Sequence, residues 1–150
     1  AGFGVPTTFV APYDQVSKES LQEISARFKV LSTGWFEIRR LPWSWLPNYA
    51  VKKTLQRYHW EAGGTRLLAH PGCHLSYHKD YGTMLDTIIS SIQSRRLTVL
   101  VSHWWEYFRS NLPDEKFINV LHETAEYLAS QKDIQVISFE DVANGKIALN

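Results

Sequence analysis

The chain has 150 residues, 44% of them hydrophobic and 21% charged, with a formal net charge of +1. That is enough sequence to bury a core of its own, and a single domain over residues 1–150 is expected. Interspersed charges of both signs argue against a nucleic-acid or anionic-membrane partner, and no apolar run approaches the roughly 20 residues that span a bilayer.

Ala1-Gly2-Phe3-Gly4 carries neither an initiator Met nor a signal-peptide pattern and reads as an internal cut. Pro6 to Val10 reads as a first strand, ended by Ala11-Pro12-Tyr13-Asp14. Ser17 is a good N-cap for a helix with Leu21, Ile24 and Phe28 on one face. Phe28 to Leu31 carries into a second strand, closed by Ser32-Thr33-Gly34.

From 34 to 64 the alternation lapses, and the spacing allows a helix only over Tyr49 to Tyr58. The segment is far longer than the usual connection of about 2–6 residues and reads as an aromatic-rich insertion. It holds Trp35, Phe36, Trp43, Trp45, Tyr49, Tyr58 and Trp60. Burial habits predict that most of these rings pin the segment to the domain, while a minority could stack on a sugar or a partner.

Thr65 to Ala69 reads as a third strand ending at His70. A helix capped by Thr83 follows, with Met84, Leu85, Ile88, Ile89 and Ile92 on one face. Leu97 to Ser102 is a continuous apolar run, the pattern of a strand buried on both faces, with His103 at its end. Pro113 opens a helix with Asp114 and Glu115 near its positive end. Ile134 to Phe139 reads as a fifth strand. Strands alternating with helices predict an α/β fold: about five parallel strands in β/α units, part of a larger barrel or an open sheet with both edges exposed. Self-association through those edges is expected.

The order of motifs resembles the C-terminal half of the polysaccharide deacetylase superfamily, the NodB-homology domains of carbohydrate esterase family 4. Thr8-Phe9-Val10-Ala11-Pro12-Tyr13 looks like that family's third motif, a turn after a strand. Leu100-Val101-Ser102-His103 looks like its fifth, a leucine shortly before a strand-end histidine. Phe117 to Val142 is similar to its last helix and strand. Together the matches span nearly the whole chain.

The resemblance implies a distorted (β/α)7-8 barrel that removes acetyl groups from carbohydrate with a divalent metal, zinc being the expected ion. It implies His103 as the general acid and Tyr13 as a catalytic residue giving a backbone N–H to the oxyanion. Leu100 becomes a wall of the acetyl pocket and Pro12 shapes the groove. Beside these, His70 and Trp104 are candidate substrate contacts at strand ends. Val10 stands where the family has an arginine, and no Asp-x-x-Asp-Trp motif is present. The family's metal ligands and catalytic base precede its third motif, so they are expected upstream of Ala1, and no residue of this chain is assigned as a metal ligand. The alternative is a non-catalytic remnant of the barrel that binds carbohydrate or a partner through the tryptophan-rich segment.

Two further features stand apart from the resemblance. His70, Cys73, His74 and His78 are good zinc-ligand types, but Pro71-Gly72 rules out a single helix presenting them. Asp14 and Glu106 are the carboxylates nearest the strand ends. His59 and His122 read as ordinary surface or helix histidines.

Overall fold

The computed structural model describes residues 4–70 and 74–149, which divide into two compact units, one of residues up to 70 with 137 onward, the other of residues 71–136. The first unit is built on a four-stranded sheet. Strands β1 (Thr8–Val10), β2 (Val30–Thr33), β3 (Trp60–Ala62) and β4 (Thr65–Ala69) lie in the order β1-β2-β4-β3. β1, β2 and β4 are parallel, and β3 runs antiparallel to β4.

All four residues of β2 are buried, as the centre of a parallel sheet requires. Leu31 and Leu67, paired across β2 and β4, share one cluster with Leu21 and Ile24 of helix α1 (Lys18–Arg27). Ser17 caps α1 by accepting the Ser20 N–H at 3.2 Å, so β1-α1-β2 follows the pattern of its sequence.

The segment 34–64 is not free of regular structure. It forms two 3-10 turns, Ile38–Arg40 and Trp43–Trp45, then helix α2 (Leu46–Thr54) and β3. α2 begins and ends earlier than the spacing predicts. Gly63 and Gly64, with φ of +60° and +76°, turn β3 back onto β4 as a two-residue hairpin loop needs. A Cβ on Gly63 would meet the Trp45 indole at 2.7 Å, so glycine also admits that ring. Trp60 sits at the centre of this packing. The rings of Phe36, Trp45 and Tyr49 meet it edge-on, with centroids 5.6, 6.2 and 5.7 Å away. Trp35 and Trp43 remain exposed.

The second unit is a pair of packed helices, α3 (Tyr81–Gln93) and α4 (Glu115–Ser130), around Leu75, Met84, Ile88, Phe117 and Val120. Asp80 rather than Thr83 caps α3, and Asp114 rather than Pro113 precedes α4, each accepting a backbone N–H of its first turn. Pro113 lies in a short hairpin, β5 (Phe108–Arg109) with β6 (Leu112–Pro113), turned by Ser110 and Asn111 at positive φ.

Two of the five expected strands are replaced. Residues 97–102 form no strand ladder among the described residues; Leu100 packs on the α3–α4 cluster. Residues 134–138 are not a strand, and Phe139 enters helix α5 (Phe139–Ala143). Ser138 and Asp141 close a reciprocal capping box there, which a β-prone I-Q-V-I run cannot override. The five-strand parallel pattern thus becomes a mixed sheet of four, with no closed barrel among the described residues.

Candidate functional site

In the first unit the carboxyl ends of the parallel strands converge on one carboxylate. The ladder extends a residue beyond the strands, with Ala11 N–H donating to Ser32 O at 2.9 Å and His70 N–H to Thr33 O at 3.1 Å. Those bonds set Ala11 and His70 on either side of the end of β2. The chain then turns sharply through Pro12–Asp14, where Tyr13 and Asp14 both adopt left-handed backbone, φ +52° and +55°. Such conformations cost about 1–3 kcal/mol each and persist only where surroundings hold them.

Here the holding group is Asp14 Oδ1. It accepts the Gly34 N–H at 2.7 Å and His70 Nε2–H at 2.9 Å, a carboxylate being an acceptor only. His70 is 5% exposed, and its Nδ1 is buried with no hydrogen-bond partner. A Cβ at position 34 would meet Asp14 Oδ2 at 2.8 Å, so only glycine lets the carboxylate lie against the end of β2. Tyr13 is turned outward, 95% exposed, and Pro12 is exposed beside it.

In the second unit His103 precedes a 3-10 turn, Trp104–Tyr107. Its ring stacks on Trp105, centroids 4.4 Å apart and planes 10° from parallel. Its Nδ1 lies 3.7 Å from Oε1 of Glu106, an ion-pair distance. Glu106 is only 3% exposed, and its Oε2 accepts the Ser76 hydroxyl at 3.1 Å and the Tyr77 N–H at 2.8 Å. A buried carboxylate with its other oxygen satisfied is a fixed partner for an imidazole. Trp104 is 72% exposed beside it, whereas Leu100 is half-buried in the helix cluster.

The predicted residues thus fall into two groups: Pro12, Tyr13 and His70 with Asp14, and His103 and Trp104 with Glu106. Sequence reasoning missed Gly34 as a donor and the Asp14–His70 bond, which joins residues 56 apart. It also read His59 as an ordinary surface or helix histidine, whereas the residue is 3% exposed and lies outside any helix.

A divalent metal finds no three-residue site among the described residues. His70 Nε2 is engaged by Asp14, and His74 Nε2 lies 3.0 Å from Ser91 Oγ. Cys73 lies outside the described residues. No family model, curated protein or solved structure matches the chain. No helix among the described residues is long and apolar enough to cross a membrane.

Proposed function

We propose that the chain is the C-terminal part of a metal-dependent carbohydrate deacetylase, with β1, β2 and β4 as consecutive strands of its distorted barrel. The metal ligands and catalytic base come from sequence outside these 150 residues. The observation that carries the reading is the His103–Glu106 pair. An imidazole flanked by a buried carboxylate, with one face covered by an indole, is an acid–base group built for proton transfer. In that role Nε2, the nitrogen away from Glu106, hands a proton to the leaving amine or alkoxide as its bond to the acetyl carbon breaks. Glu106 Oε1, 3.7 Å from Nδ1, is the fixed carboxylate on the other side of the ring.

The strained turn at Tyr13 supports the same reading, since left-handed non-glycine backbone concentrates at functional sites. It presents Tyr13 at the carboxyl end of β1, the end of a parallel strand where ligands bind. Pro12 shapes that rim, while Trp104 stands exposed in the same turn as the His103–Glu106 pair. β1 and β3 end the sheet order, and their edges are the route for self-association.

The test is acetate release from partially acetylated chito- and xylo-oligosaccharides by the intact protein. Release that stops with a chelator and returns with Zn²⁺ supports the reading. Absence of release from every acetylated sugar, with metal bound, removes it.

A further inference from the structure

The whole-chain charge of +1 conceals an uneven distribution. Residues 34–64 hold five cations, Arg39, Arg40, Lys52, Lys53 and Arg57, against two acids, Glu37 and Glu61. Arg40 is already paired with Glu37 at 2.9 Å. Lys52, Lys53 and Arg57 gather at the end of α2, where the Arg57 N–H donates to Lys52 O at 2.9 Å. None of those three forms an ion pair among the described residues. The even mixture of charges along the chain, which argues against an anionic surface as partner, does not hold in this segment.

α2 is apolar in two directions. Leu46 and Tyr49 pack against the buried cluster of the first unit. Pro47, Val51 and Leu55, spaced four residues apart, form a second stripe that is exposed. Leu55 keeps the helical register, its N–H donating to Val51 O at 2.9 Å. Trp43, in the 3-10 turn that leads into the helix, extends the same spacing by one step. Trp43, Val51 and Leu55 are each more than half exposed.

Cations stand beside this apolar material. Lys18 Nζ lies 4.9 Å from the Trp43 ring centre, and Lys52 and Lys53 Nζ lie 5.7 and 5.9 Å from that of Tyr49. Burial, and then repulsion from Lys53, holds the Lys52 ammonium below its ordinary range. An anion brought up to the pair offsets that repulsion.

The combination selects the occupant. A nucleic acid would engage the cations and leave Val51 and Leu55 wet. A neutral sugar would engage Trp43 and leave the cations idle. A lipid surface with anionic headgroups uses both, the stripe entering the headgroup boundary and the cations meeting phosphate. At nine residues α2 is too short to span a bilayer, so it would lie in the plane of the interface.

We propose that α2 and the turn before it dock the protein on an anionic lipid surface. Trp43, Val51 and Leu55 enter the interface, while Lys52, Lys53 and Arg57 meet the headgroup phosphates. The inference does not depend on the deacetylase reading.

The experiment is co-sedimentation of the intact protein with phosphatidylcholine vesicles, and with vesicles in which roughly one lipid in three is phosphatidylglycerol. Binding to the anionic vesicles should be half-complete at about 0.1–1 mM lipid, the range of a single shallow anchor. Phosphatidylcholine alone should bind at least about tenfold more weakly. Lys52→Gln with Lys53→Gln should weaken anionic binding about tenfold or more. Trp43→Ala should weaken it about fivefold, and Trp104→Ala, in the other unit, should leave it unchanged. No binding at about 10 mM anionic lipid, equal binding to both vesicles, or a loss that follows Trp104 instead of Trp43 overturns the proposal. Binding to single-stranded DNA that Trp43→Ala leaves intact, with no vesicle binding, makes the patch a polyanion site and also overturns it. Acetate release by a protein that ignores both vesicles keeps the deacetylase reading and removes this one. Vesicle binding without acetate release does the reverse.

Discussion

Asp14 shows how one side chain can hold a backbone conformation that local preference opposes. Its own φ and that of Tyr13 lie in the left-handed region, which asparagine and aspartate tolerate better than other residues bearing a Cβ. The bonds from Gly34 and His70 close the turn. Asp14→Ala removes both bonds and places alanine at φ +55°, so a loss of about 2–4 kcal/mol is expected in denaturant unfolding. Asp14→Asn retains an acceptor and the left-handed tolerance, and should lose less than half of that. Equal losses for the two variants would show that the clamp does not hold the turn.

At the scale of elements, the aromatic segment is organised by depth. Trp60 is 4% exposed and ringed by three aromatic side chains, so Trp60→Ala should cost about 3–5 kcal/mol. Trp43 is 76% exposed, and Trp43→Ala should fall within about 0.5 kcal/mol of the parent. Denaturation midpoints at constant m-value give the comparison; similar losses at both positions would contradict it.

A second element-level tie joins the starts of α3 and α4. Tyr81 donates its hydroxyl to Asp114 Oδ2 at 2.7 Å, while Asp114 Oδ1 caps α4 at Phe117. Burial, reinforced by the Asp114 bond, pushes the Tyr81 phenol up to about 12 from its ordinary 10.0. The bond from Tyr81 in turn holds the Asp114 carboxyl low. Because the folded state keeps the phenolic proton more tightly, this contribution to stability is complete below pH 10.0 and is lost as pH rises towards about 12. Unfolding free energy followed against pH should decline over that window in the parent and less so in Tyr81→Phe. Parallel declines would place the alkaline sensitivity elsewhere.

What could be read from sequence depended on how local its cause was. β1, α1, β2 and β4 follow from apolar runs, a serine cap and turn residues, all acting within a few positions. The capping box at Ser138–Asp141 is equally local, but its S-x-x-D signal lies at the end of a β-prone run that pointed to a strand. The run at 97–102 carries no information on whether its partner is a sheet or a helix pair, and Leu100 packs with helices. His70 stood out at a strand end, yet its partner is fixed by a left-handed turn that no propensity announces.

For the whole molecule, charge and composition leave the function open, and the two compact units each carry a histidine–carboxylate pair. The pairs differ in what they offer. His70 is enclosed and positions Asp14, whereas the His103 side chain is 39% exposed. His103 is therefore the residue on which the proposed chemistry rests. The most direct measurement is kcat for acetate release by the intact protein and its His103→Ala variant at equal bound metal. The account predicts a fall of roughly 10²–10⁴-fold with the metal retained, the loss of a general acid; an unchanged kcat would contradict it.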